Sequence, residues 1–204
     1  MADNCSFKLA QAVGILGSAF ASGGILSVSF LTVPAILLPA RNSKLSTSTG
    51  GTPASTISHL THQWLHVYDR GRFTFPALAA GSALAYTFLA CTLHNSPGGR
   101  SPTGAGKFAQ MYLAAAAATL AIVPYTLLFM RPTNMRLEAR ARRDDAVERE
   151  GKEGMAMSAE EEARRAREDR ETPGVIRKWA CLNTIRGIFP LVGAAVGMAA
   201  MLYF

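Results

Sequence analysis

The sequence predicts an all-α fold: a four-helix transmembrane bundle with a charged, largely helical cytosolic insertion between helices 3 and 4. Three observations predict it. No Asp, Glu, Lys or Arg stands between Lys8 and Arg41, whereas most of the acidic groups fall within 138–171. Apolar runs of about twenty residues or more, the length a spanning helix needs, recur four times. Polar and aromatic side chains collect at one end of spans two, three and four, which is how a site in a membrane bundle is built rather than how a soluble surface is dressed.

The first span covers about 8–38 and has no charge inside. A cleaved signal peptide ending near Ala19-Phe20-Ala21 is the competing reading, but the apolar run far exceeds the roughly 7–15 residues of a signal core. Spans of about 73–93, 108–130 and 180–204 follow. Each must be helical, because hydrocarbon offers no partner to an exposed backbone amide. The chain reads as a single membrane domain over 1–204, with 138–171 as its charged insertion.

Ala10, Gly14, Ser18 and Ser22 recur every four residues in span one, and Gly193 and Gly197 form a GxxxG pair in span four. Small residues at that spacing let helix backbones approach closely. Pro34, Pro76, Pro124 and Pro190 fall in or beside the spans, where each kinks a helix or is simply tolerated in lipid.

Lysine and arginine set the orientation. Loops 39–72 and 131–178 hold Arg41, Lys44, Arg70, Arg72 and an arginine-rich stretch, while the opposite side carries Lys8, Arg100 and Lys107. The positive-inside rule places the two basic loops in the cytosol, as expected of a multi-pass protein of the endoplasmic reticulum or endomembrane vesicles. Asn4-Cys5-Ser6 is a formal glycosylation sequon on the other side, too close to the membrane to serve. The net charge of +7 points to anionic lipid rather than nucleic acid, since the basic residues flank apolar spans without interleaved aromatics. Cys5, Cys91 and Cys181 form no CxxC pair and read as helix-packing residues. There is no glycine-rich nucleotide motif and no Ser-His-Asp pattern.

The insertion is rich in Glu, Arg and Ala. Glu138–Arg142, Glu160–Arg164 and Glu161–Arg165 are i, i+4 pairs that support helix, and Gly151 and Gly154 break it midway. The expectation is helix, break, helix, projecting into the cytosol as a solvated arm.

Three stretches bring polar groups to the membrane boundary: Gln63-Trp64…Tyr68…Gly71-Arg72 entering span two, Pro132-Thr133-Asn134…Leu137 leaving span three, and Trp179…Leu182-Asn183…Arg186 entering span four. Trp179, Asn183 and Arg186 share a helical face, as do Trp64, Tyr68 and Arg72. Asn134 also fits a helix cap and the tryptophans an interfacial belt. His59, His62 and His66 are spaced i, i+3, i+7, which would put three imidazoles on one face for iron or copper, although no acidic or thiol ligand completes a motif. His94 has no evident partner.

Together these stretches resemble the fungal anthrone oxygenases, whose motifs QWxxxYxxG, PTNxxL and WxxLNxxR they match in order and at the corresponding span ends. The resemblance implies a membrane-bound monooxygenase of polyketide secondary metabolism that oxidises a hydrophobic anthrone-type substrate to an anthraquinone. O2 is the co-substrate, and no cofactor or metal is expected. It implies catalytic roles for Tyr68, Asn134, Asn183 and Arg186. Gln63, Trp64, Arg72, Thr133 and Trp179 would bind substrate, with the two tryptophans stacking on its rings. Proton transfer falls to Tyr68, His62 or His66. The alternatives are a non-enzymatic scaffold or small-molecule carrier, a transporter, and an iron or copper oxygenase using His59, His62 and His66. A homo-oligomer is compatible with all of them.

Overall fold

The computed structural model describes residues 2–42, 53–96, 104–149 and 158–203. Among the described residues there is no strand. The elements in chain order are α1 Ala2–Ser27, a π-turn π1 Val28–Thr32, α2 Val33–Asn42, α3 Pro53–His94, α4 Ala105–Leu120, α5 Ile122–Tyr125, a second π-turn π2 Thr126–Met130, α6 Arg131–Arg149 and α7 Ala159–Tyr203. Four helical runs are long and apolar enough to cross a membrane: Cys5–Leu38, Ile57–His94, Ala105–Asp145 and Ala159–Tyr203.

These runs outlast the apolar stretches that announced them. Much of what the sequence reads as loops 39–72 and 131–178 is helix, because α3 starts at Pro53, α6 continues to Arg149 and α7 begins at Ala159. The cause is an apolar period that survives inside the polar stretches. Leu60 and Trp64, Leu137 and Ala141, and Thr172, Ile176 and Trp179 are all buried at helical spacing. Lys44, Arg100, Gly151 and Gly154 lie outside the described residues.

Both π-turns have the same local cause. A proline stands two residues after each, Pro34 after Thr32 and Pro132 after Met130. Its missing N–H leaves the carbonyl four residues back without an α-helical donor, and a turn widened to i→i+5 bonding absorbs the mismatch.

The chain divides into two compact units. Each takes a segment from all four helical runs. The first comprises Met1–Leu26, Gly71–Leu128 and Thr184–Phe204. Its outer faces carry exposed large apolar residues, among them Leu16, Phe20, Leu84, Leu128 and Leu202. Its interior mixes large apolar side chains such as Ile15, Leu89 and Leu93 with small and hydroxyl-bearing residues, and the small residues let helices pack closely as they do in lipid.

Hydrogen bonds join helices inside it. Gln11 Nε2 donates to Tyr112 Oη (2.8 Å) and Ser22 Oγ to the Gly187 carbonyl (2.8 Å). Tyr86 Oη donates to the Gly193 carbonyl (3.2 Å). Thr119 Oγ1 spends its hydrogen on the Ala115 carbonyl (2.8 Å), so Ser18 Oγ donates to Thr119 at 3.1 Å.

The small-residue rows explain how these groups meet. A Cβ on Gly14 would lie 2.7 Å from the Tyr86 ring, and one on Gly197 would lie 2.6 Å from its hydroxyl. The ring therefore occupies space that two glycines provide.

The second unit comprises Ser27–Arg70 and Phe129–Asn183. It contains the ends of α6 and α7 that the sequence assigns to a solvated arm, and here those ends pack. Arg140 donates to Thr172 Oγ1 (2.7 Å). Arg143 donates to Glu168 (2.6 Å), Asp169 (3.2 Å) and Asp144 (2.9 Å). Thr61 Oγ1 meets Asp144 at 3.5 Å. His62 sits between the Ser58 carbonyl (2.6 Å from Nδ1) and Asp145 (2.7 Å from Nε2), two acceptors that a ring protonated on both nitrogens satisfies together. Part of the insertion's charge is thus spent on pairing across helices. Ser158 opens α7 as its cap, its Oγ accepting from Glu161 N (3.3 Å).

Candidate active site

The second unit assembles most of the predicted residues around two indoles. Residues 60–68 of α3 present Leu60, Thr61 and Trp64 inward at i, i+1, i+4. Trp64 is fully buried. The Tyr68 ring lies nearly parallel on one of its faces, with centroids 4.9 Å apart and an interplanar angle of 9°. Trp179 meets it edge-on at 5.7 Å and 87°.

Pro132 is the second residue of α6, directly after the π-turn that accommodates its missing N–H. The turn it opens buries Thr133 and Asn134. Trp179 Nε1 donates to Asn134 Oδ1 at 2.8 Å. That bond decides the orientation of the Asn134 amide: its oxygen is taken, and its NH2 is the end left to donate.

One turn further along α7, Asn183 Nδ2 donates to Ser29 Oγ at 3.0 Å. The Trp64 indole differs from its neighbour. Its Nε1 is buried and has no hydrogen-bond partner among the described residues.

Trp64, Tyr68, Thr133, Asn134, Trp179 and Asn183 therefore belong to one unit, with contacts linking Tyr68, Trp64, Trp179 and Asn134 into an aromatic and amide cluster and a separate Asn183–Ser29 tie. Gln63 stands apart, half-buried and within 2.9 Å of His59 Nε2. Arg72 and Arg186 belong to the first unit. Arg72 is exposed with its guanidinium 4.9 Å from the Phe73 ring centroid. Arg186 is only 5% exposed, with its guanidinium 6.0 Å from the Phe75 ring centroid, within cation–π range.

The histidine alternative loses its geometry. His62 is engaged at both ring nitrogens, His59 faces Gln63 and His66 is exposed. No group of three His, Cys, Asp or Glu among the described residues is arranged to hold a metal. These histidines as placed do not fit one.

Ser29 is the residue that sequence reasoning missed. A signal was present: Gln11, Ser18, Ser22 and Ser29 are spaced 7, 4 and 7, and all four are buried. The small-residue row of the first span therefore extends past Ser22 to Ser29.

A family model for anthrone oxygenase matches residues 64–196. The chain is 32% identical over 196 residues to the anthrone oxygenase encC of Aspergillus fumigatus, covering 96% of this chain and 93% of the relative. It is 33% identical over 189 residues to an anthrone oxygenase of Claviceps purpurea, covering 93% and 86%. A noranthrone monooxygenase of Aspergillus flavus is 27% identical over 186 residues, with 91% of this chain and 70% of the relative covered. No solved structure matches. With matches that span nearly its whole length, and with the family model covering the tryptophan, asparagine and arginine motifs, the chain belongs to the anthrone oxygenase family of monooxygenases.

Proposed function

We propose that this member of the family oxidises an anthrone-type aromatic polyketide to the corresponding anthraquinone with O2 and no resident cofactor. The ring CH2 of an anthrone is acidic because its anion is an aromatic anthranolate. That anion is electron-rich enough to pass one electron to O2. Recombination of the radical pair gives a hydroperoxide, which loses water and leaves the second carbonyl, so that one O2 is consumed and one water released. The protein contributes a base, donors aimed at the oxygen on which charge develops, and shielding from water.

The observation that carries this reading is the Trp179–Asn134 hydrogen bond of 2.8 Å. It turns an amide NH2 into a donor fixed before substrate arrives, inside an aromatic cluster suited to a flat ring system. Asn183, one turn on, is oriented the other way, its NH2 giving a hydrogen to Ser29, and the family resemblance is what assigns it and Arg186 a part in holding the substrate oxygens. Tyr68, half-buried at the edge of the cluster, is the candidate for proton transfer. Thr133 and the two indoles line the substrate. Purified protein incubated with an anthrone is expected to form quinone faster than autoxidation in air and not at all under anaerobic conditions. A rate equal to autoxidation would refute the proposed reaction.

The same reading places the four apolar runs across an endoplasmic reticulum or endomembrane bilayer, where an apolar tricyclic substrate partitions. The basic segments 39–72 and 131–178 then face the cytosol. A cysteine at the exposed Ser158 (Ser158→Cys, with Cys5, Cys91 and Cys181 replaced by serine) is expected to react with a membrane-impermeant maleimide in sealed microsomes. Protection until detergent is added would reverse the topology.

A further inference from the structure

Two indoles touch in the second unit, and only one has its N–H satisfied. Trp179 gives its hydrogen to Asn134. Trp64, fully buried, has Nε1 cut off from solvent and without a hydrogen-bond partner among the described residues. A buried donor left unpaired is costly in a folded protein, and natural structures rarely keep one without a use. Nothing about packing requires it, since a phenyl ring or a sulfur isostere of indole would fill most of the same space without the penalty.

The surroundings define what would pair with it. The two rings placed against it, Tyr68 and Trp179, carry no charge, and Nε1 is shut off from solvent, so the matching group is a neutral or partly charged oxygen on an apolar molecule. In such a setting a donor held in place acts most strongly on an oxygen that gains charge during reaction. Trp64 is well held, by the parallel Tyr68 ring on one face and the Trp179 edge contact.

We propose that the Trp64 indole N–H is a hydrogen-bond donor to the ketone oxygen of the anthrone-type substrate, working beside the Asn134 NH2. This rests on the substrate class proposed above, and it changes the part given to Trp64 from a stacking surface to a directional donor. The Trp64 side chain exchanges no proton in this role.

The test replaces residue 64 with 3-benzothienylalanine, which keeps the bicyclic shape and puts sulfur where the N–H was. Trp64→Phe serves as a second, genetically encoded form. Anaerobic titrations use anthrone and 9,10-dihydroanthracene, the same ring skeleton without oxygen. Wild-type protein is expected to favour anthrone by about tenfold or more, the scale of one hydrogen bond in a dry site. The benzothienyl protein is expected to prefer anthrone about tenfold less than wild type does, with dihydroanthracene binding unchanged, and its kcat to fall on the order of 10–100-fold. Its thermal midpoint is expected to stay level or rise, because the orphaned donor is gone.

A preference for anthrone in the benzothienyl protein equal to that of wild type would overturn the proposal. So would a lowered midpoint with both ligands weakened alike, which would mean the N–H is spent on the Trp179 ring. Wild-type protein that prefers anthrone yet forms no quinone would refute the oxygenase reading and leave this one standing.

Discussion

Gly193→Ala is expected to destabilise the protein by on the order of 3 kcal/mol, from an overpacked helix contact and the loss of an interhelical hydrogen bond. The new Cβ would overlap the Thr119 hydroxyl and come within 2.9 Å of the Ala115 backbone oxygen. Thr119 has little freedom to move aside, since it donates to Ala115 (2.8 Å) and receives from Ser18 (3.1 Å). Separating the helices to relieve the overlap would also stretch the Tyr86 bond to the Gly193 carbonyl, already 3.2 Å. Gly81→Ala provides the comparison. Its Cβ would meet nothing within 4 Å, so it should be neutral or stabilise by up to about 1 kcal/mol through helix propensity. Thermal unfolding of both variants in detergent, followed by circular dichroism, would check the contrast. A Gly193→Ala midpoint equal to wild type would mean that the glycine is there by composition and not by contact.

The largest effect on turnover is expected at Asn134. Asn134→Ala removes the amide donor and leaves the Trp179 N–H without its 2.8 Å acceptor. Its kcat should fall about 100-fold or more, the usual loss for one donor to a developing oxyanion, and stability should drop by about 1–3 kcal/mol for the stranded indole. Asn134→Asp separates the two roles. A carboxylate still accepts from Trp179, so the fold keeps its contact, but the NH2 is replaced by a negative oxygen. If Asn134 only positions Trp179, the Asp variant will work nearly as well as wild type. If the NH2 meets the substrate oxygen, the Asp variant will be at least as inactive as the Ala variant while unfolding at a higher temperature. Single-turnover rates of quinone formation alongside thermal midpoints distinguish the two, and an active Asp variant would remove Asn134 from the reaction.

The apolar runs, the GxxxG pair and the inward row of Gly14, Ser18 and Ser22 were legible because each is a periodic pattern in one helix. What the rows serve was not legible. Gly14 and Gly197 flank the same tyrosine ring, and that pairing joins residues 183 positions apart in sequence. The packing of the charged insertion was obscured by composition. Glu and Arg dominate any average over 138–171, while the buried positions there, Ala141 among them, are few and small. For the site, residue identity came from the motifs, and the three aromatic and amide members Trp64, Asn134 and Trp179 do come together. Direction was beyond reach: which end of the Asn134 amide is committed, and which indole N–H is left over, depend on neighbours from different helices. Gln63 follows the motif spacing yet lies away from the cluster, because a residue beside an inward position turns about 100° from it; Arg72 belongs to the first unit.

The two π-turns bear on how this chain keeps count of its own residues. A single helical wheel drawn along the first or third run slips out of step at 28–32 and again at 126–130, since each turn stores one residue more than the α-helical period allows. Thr133 and Asn134 come directly after the second slip, so a projection carried from α4 would point them the wrong way. The stored residue also acts as slack. Lengthening or shortening a helix by one residue ordinarily swings everything beyond it by about 100°. A turn that already holds a surplus can give that residue up, tightening to the ordinary winding while the side chains on either side hold their bearings. In this molecule the tolerance for length change lies immediately before Asn134, where an uncorrected swing would do the most harm to chemistry.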